Sequence, residues 1–384
     1  MILLNSKVKV SFFVVLLLLS SISAFGLTNA TSPKKRYTKS EIVLSGLSQP
    51  SIVAMDRRGR IYFTETYQWD DGETWILERY NPRTGRIEQL ASHNYFIPHV
   101  CIDAKGNIYY VVGGNLEEVS EIYKLKRGAS TSTMLYKAEG FDILSMDVDM
   151  AGNVYFSIGN FHGDDPSMSN TSKLMMIPRN DKRAIELVSF TSPDSPTRIC
   201  NIQAGKAKRF GVYFTAELSD GYYIYRFIDG DLESILCKPK ENSGYIAYIT
   251  LSRSGSLYYL YRQRSIDPLW GYLEIGRFRR VFTHKMAGPE ILFRQKLEEA
   301  IFCWFPPDDY FFSVSSTGDV FSVIIFFDGE KYINELTWLN VRTSQYKTLA
   351  SSEQPREYMN FVLDRRGNIY YSMSISGNIV KINR

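Results

Sequence analysis

Acidic and aromatic residues gather in three stretches whose residue types are suited to binding chemistry. "YQWDDGET" carries Trp69, Asp70, Asp71 and Glu73; "NFHGDDPSMSNTS" carries His162, Asp164 and Asp165; "KLEEAIFCWFPPDD" carries Trp304, Asp308 and Asp309. Grouped carboxylates offer the oxygen ligands that hard cations take. The indoles of Trp69 and Trp304 have the flat amphipathic faces that stack on sugar rings or anchor a protein partner. Each stretch also reads as a solvated loop tip, and Trp69 and Trp304 also read as core residues. The sequence holds no Ser/His/Asp triad pattern, phosphate-cradling glycine loop or H-E-x-x-H pair. Chemistry therefore depends on what the fold assembles from separate stretches.

The elements that position these stretches come from a repeat. "DRRGRIY" at Asp56 returns as "DAKGNIY" at Asp103, "DMAGNVY" at Asp149, "SRSGSLY" at Ser252, "SSTGDVF" at Ser315 and "DRRGNIY" at Asp364. A degraded copy, "GKAKRFGVYF", ends at Phe214. Asp or Ser opening the turn bonds back to the backbone, and the fourth-position Gly takes a left-handed conformation at no steric cost. Alternating apolar residues on both sides make the motif a hairpin between two strands. Two more strands follow in each copy, as in "WILERYNP" and "RIEQLAS". Four-stranded all-β units recurring about every 40–50 residues predict a propeller. Seven copies give seven blades, with six as the alternative if the degraded copy is an insertion. The last copy lacks a fourth strand, and "SEIVLSG" at Ser40–Gly46 is a spare one, so the N-terminal strand is expected to complete the last blade and close the ring.

With strands named A to D outward from the axis, the D-to-A and B-to-C loops share one face, and this face holds all three acidic stretches. Counting back seven residues from each turn marks a second constellation at the start of the inner strands: Gln49, Phe96, Asp142, Tyr245, Asp308 and Glu357. Gln49, Asp142, Asp308 and Glu357 then ring a channel mouth, either as ligands of calcium or magnesium or as a solvated polar rim.

The stretch "PSIVAMDRRGRIYFTETYQWDDGETWILERYNPRTGRI" resembles a repeat of the streptogramin (virginiamycin B) lyase family, with its F-T-E-like strand end and N-P-x-T-G tail; "YFTAE" at Tyr213–Glu217 is a second such strand end. The resemblance extends to NHL-repeat and gluconolactonase-type propellers and runs through the repeat alone. It implies a metal-dependent lyase or lactonase, with a catalytic His, a glutamate and a magnesium ion on one face. Among His93, His99, His162 and His284, the family context fits His99, in "IPHVCID". Glu65 and Glu217 are the glutamates on offer. The Asn-Gly and Ser-Pro-Asp signature of the gluconolactonase type is absent, and Gln49 stands where its leading Glu is expected.

Of the 384 residues, 44% are hydrophobic and 22% charged, with 26 Tyr and 23 Phe, which suits a large β core. A net charge of +4 gives no case for nucleic acid. Lys7 and Lys9 precede an apolar run, Val10–Ile22, and small residues through Gly26 follow. Residues 1–26 read as a cleaved signal peptide or as an uncleaved anchor, 27–39 as a basic linker and 40–384 as one propeller domain outside the cytoplasm. Cys101, Cys200, Cys237 and Cys303 contain no C-x-x-C pair and allow three disulfide pairings or none. The expected function is non-catalytic binding of a ligand or extracellular protein through the loop-rich face. The alternative is the metal-dependent lyase or lactonase, with His99 as its acid–base group and membrane contact only through an N-terminal anchor.

Overall fold

The structure is a computed structural model that describes Tyr37 and residues 39–69, 72–113, 120–159, 170–181, 183–192, 195, 197–205, 211–240, 244–252, 254–279 apart from 265–269, 288–298, 312–327, 332–343, 345–353 and 359–384. The proposed signal or anchor segment, Asp70, Asp71, His162, Asp164, Asp165, Cys303, Trp304, Asp308 and Glu357 lie outside the described residues.

Among the described residues, twenty-eight strands form seven four-stranded antiparallel sheets. Blade 1 is β2 (Ser51–Met55), β3 (Ile61–Trp69), β4 (Gly72–Asn81) and β5 (Arg86–His93), and blade 2 is β6 (Val100–Ile102), β7 (Ile108–Gly113), β8 (Ser120–Leu125) and β9 (Thr133–Lys137). Blade 3 runs from β10 (Asp142–Val148) to β13 (Ile185–Ser192), and blade 4 from β14 (Arg198–Ala204) to β17 (Asp231–Pro239). Blade 5 runs from β18 (Gly244–Leu251) to β21 (Glu290–Glu298), and blade 6 from β22 (Phe312–Val314) to β25 (Gln345–Ser352). Blade 7 is β26 (Phe361–Leu363), β27 (Ile369–Met373) and β28 (Asn378–Asn383), with β1 (Lys39–Leu44) as its outer strand. The degraded copy is a true blade: Gly205 and Gly211 close its turn, and Gly211 takes φ +68°.

The motif works as its chemistry requires. Asp103 Oδ1 accepts from the backbone N–H groups of Lys105 and Asn107, each at 2.9 Å, and Gly106 closes the turn at φ +85°. The motif tyrosine then lies buried with its hydroxyl 3.3 Å from Asp103 Oδ2. The core is built between blades. Val53 and Tyr62 of blade 1 pack with Val100, Ile108 and Tyr110 of blade 2, and Phe63 and Tyr80 pack with Tyr370 and Ile379 of blade 7. The ring closes as predicted, with β1 antiparallel to β28 from Lys39↔Asn383 to Leu44↔Ile379.

Candidate ligand-binding groove

The D strand of blade 1 ends at His93, and the link to blade 2 leaves beside it. On the blade 2 side, β7 ends and β8 begins. These ends enclose a groove of about 400 Å³ on the loop-rich face, lined by Ser92, His93, Asn94, Tyr95, Val112, Glu121 and Tyr123. Trp75 faces His93 across β4 and β5 and packs edge-on against Phe96 at 4.6 Å, which fixes the link. The His93 ring lies 5.2 Å from Tyr123 and 5.7 Å from Tyr110, and those two tyrosines stack at 5.4 Å. His93 Nε2 is 3.3 Å from the Tyr110 hydroxyl.

Burial lowers the His93 pKa more than the Glu121 carboxylate raises it, so the imidazole is neutral at neutral pH. Burial alone would raise Glu121. The Tyr123 hydroxyl, donating at 2.6 Å, and the Lys137 ammonium at 3.1 Å outweigh it and hold the carboxylate below its usual range. Burial and this carboxylate push the Tyr123 hydroxyl up to about 12. The groove therefore presents a neutral imidazole, an ion-paired carboxylate, the Ser92 and Asn94 side chains, and the Tyr95 ring, which is 40% exposed. Such a lining offers hydrogen bonds and an aromatic face without a free charge.

His99 stands elsewhere. Its side chain is 4% exposed, and its Nε2 donates to the carbonyl oxygen of Leu144 on blade 3 at 3.1 Å. It sits four residues before the turn, the register position of Asn201 and Asn360. Asn201 Nδ2 donates to Ala247 O of blade 5 at 2.8 Å, and Asn360 Nδ2 donates to Ser51 Oγ of blade 1 at 2.5 Å. Ser145, at the same position in blade 3, accepts from Ile202 N of blade 4 at 3.0 Å. In these four blades the position staples the inner strand to the next.

Of the channel-mouth residues, Asp142 opens β10, is 6% exposed and pairs with Gly159, while Gln49 is exposed on the link between β1 and β2 at φ +45°. Among the described residues, no group of three or more His, Cys, Asp or Glu side chains is arranged to hold a metal ion. Trp69 is 62% exposed on the loop-rich face and stacks on Tyr67 at 6.2 Å. Cys101, Cys200 and Cys237 carry thiols, not disulfides. A cavity of about 300 Å³ opens at the other end of the channel, lined by Gln203, Thr250, Ser313 and Arg365 among others. Its carboxylate, Asp364, is already bonded to the backbone of Arg366 and Asn368.

The two glutamates offered as catalytic partners have structural neighbours. Glu65 is buried at the seam between blades 1 and 7, accepting from Ser48 N at 2.6 Å and from the Tyr67 hydroxyl at 3.3 Å. It also shares a hydrogen bond with Glu78, and burial together with this neighbour pushes the Glu78 carboxyl up to about 8. Glu217 pairs with Lys240 and accepts from the Tyr222 hydroxyl, each at 3.2 Å.

The missed residues are His93, Tyr110, Glu121 and Tyr123. The repeat carried a partial signal, because strand ends on the loop-rich face were already marked. Which strand ends meet across two blades is not written in either stretch.

No protein-family model matches the sequence, and no curated protein matches it. Solved structures do match. Oligogalacturonate lyase from Vibrio parahaemolyticus superposes with a TM-score of 0.64 at 10% identity, covering 92% of this chain and 94% of that one. An oligogalacturonate lyase in complex with manganese gives 0.64 at 8% identity, covering 91% and 94%. The β-propeller domain of the trilobed protease from Pyrococcus furiosus gives 0.51 at 13% identity, covering 88% and 94%. What they share with this chain is the fold. The resemblance to lyase-type propellers holds at that level.

Proposed function

We propose that this protein is an exported, non-catalytic propeller that binds an oligosaccharide on its loop-rich face. The observation that carries the reading is the groove between blades 1 and 2, where the Tyr95 ring and the uncharged His93 stand beside Asn94, Ser92 and the ion-paired Glu121. An aromatic face stacks on the C–H face of a pyranose, and the polar groups bond its hydroxyls. The signal- or anchor-like segment at the N-terminus agrees with an extracytoplasmic location, and the two oligogalacturonate lyases among similar folds agree with a saccharide ligand.

The test is calorimetric titration of the protein with neutral and galacturonate oligosaccharides. Binding that falls at least tenfold in Tyr95→Ala and His93→Ala supports the groove. Binding indifferent to both substitutions overturns it. Release of an unsaturated product on adding manganese would replace it with the metal-dependent lyase reading.

A further inference from the structure

The opposite face, formed by the A–B and C–D turns, has a different composition. On blades 7, 1 and 2 the A–B turn tips expose Arg365 and Arg366, Arg57 and Arg58, and Lys105. The acid of each turn is tucked into its own backbone: Asp56 Oδ1 accepts from Arg58 N and Arg60 N at 2.8 and 3.0 Å, and Asp103 and Asp364 do the same. The tips therefore present cations, with their carboxylates turned inward. The C–D turns of blades 2 and 3 add exposed Lys126, Arg127 and Arg179.

The outer edge of the same face carries exposed aliphatics on blades 1 to 5. Ile87, Met134, Ile185, Leu232 and Ile291 are each 41–49% exposed and each stand at the first or second residue of an outer strand, where that strand leaves the turn face. Met150, on the blade 3 turn tip, is 47% exposed. Five blades thus repeat one exposed aliphatic position at one end of the ring. Exposed aliphatics gain more from an acyl layer than from a polysaccharide, and basic residues flanked by them match the headgroup and upper acyl layers of an anionic bilayer. β1 also begins at Lys39 on this face.

We infer that the turn face docks on an anionic phospholipid membrane, which leaves the loop-rich face pointing away from it. All the described strands lie within Lys39–Asn383, one compact unit, so the chain from residue 37 onward contains the seven described blades. The experiment is flotation of residues 37–384 with vesicles of phosphatidylcholine alone and with vesicles containing phosphatidylglycerol. Binding is expected only to the second, weakening as salt is raised. Reversing Arg57, Arg58, Arg365 and Arg366 to Glu together should cut the partition coefficient by well over a hundredfold, at about fivefold for each cation lost. Ile87→Ser with Ile185→Ser should weaken it without changing the salt dependence. Circular dichroism melts confirm that each variant is folded. Three results would overturn the inference: no binding to phosphatidylglycerol vesicles, binding unchanged by the Glu substitutions, or binding to soluble polygalacturonate and not to vesicles.

Discussion

His99 Nε2 donates to the carbonyl oxygen of Leu144 on the neighbouring blade, at 3.1 Å. Asn201 and Asn360 stand at the same position of their blades and make the corresponding reach to the next inner strand. His99→Ala, which removes this bond to a part-buried carbonyl, is expected to cost about 1 kcal/mol. His99→Asn should recover part of that, because an amide donor serves this position in two other blades. Urea unfolding of both variants measures it. Saccharide titration of the same proteins should show no change, since His99 is not in the groove.

Glu65 and Glu78 make the closure seam sensitive to pH. The Glu78 carboxyl, raised to about 8 by burial and by Glu65, keeps its proton in the folded state after the unfolded chain has released it. Raising the pH therefore favours the unfolded chain, and this contribution to stability is lost between the usual carboxyl range and about pH 8. Melting temperature should fall across that window in the native protein. The fall should be smaller in Glu78→Gln, which keeps a neutral hydrogen-bonding group.

Glu274 of blade 5 is 1% exposed and bonds Lys238 of blade 4 at 3.0 Å, its own blade's Arg294, and the Tyr259 hydroxyl at 2.9 Å. Those partners outweigh the burial that would raise its carboxyl and hold it below the usual range. Glu274→Leu takes the acceptor from the Lys238 ammonium and the Tyr259 hydroxyl, while Arg294, 59% exposed, stays hydrated, and is expected to cost about 1–3 kcal/mol. Denaturant titration beside a Lys238→Met/Glu274→Leu double variant, which removes one of those cations, should show a smaller loss in the double.

Gly377 receives the closing segment: Leu47 N donates to its carbonyl at 3.1 Å. At φ +64°, a Cβ there would lie 2.5 Å from Leu47 O. Gly46, at φ +74°, has open space where a Cβ would stand. Both Ala variants bear the conformational cost of about 1–3 kcal/mol, and only Gly377→Ala adds a collision with the ring-closing strand. Its melting temperature should fall further than that of Gly46→Ala.

The repeat made the architecture legible because each hairpin is a local object. Asp103, Gly106 and Tyr109 lie within seven residues and build their turn from their own backbone, so reading them in order gives the blade count, the strand order and the role of Ser40–Gly46 in closure. The His93 groove is not local in that sense. His93 and Tyr110 are 17 residues apart and belong to different sheets, and what brings them to 3.3 Å is the angle at which blade 2 packs on blade 1. The packing of blade 3 on blade 2 likewise turns His99, which resembled an acid–base group by context, toward the Leu144 carbonyl. Side-chain patterns within a blade follow from alternation along a strand. Which side chains meet between blades follows from how large buried residues such as Tyr62, Val100 and Tyr110 fill the wedge between two sheets, and that volume is fixed only once the ring has closed.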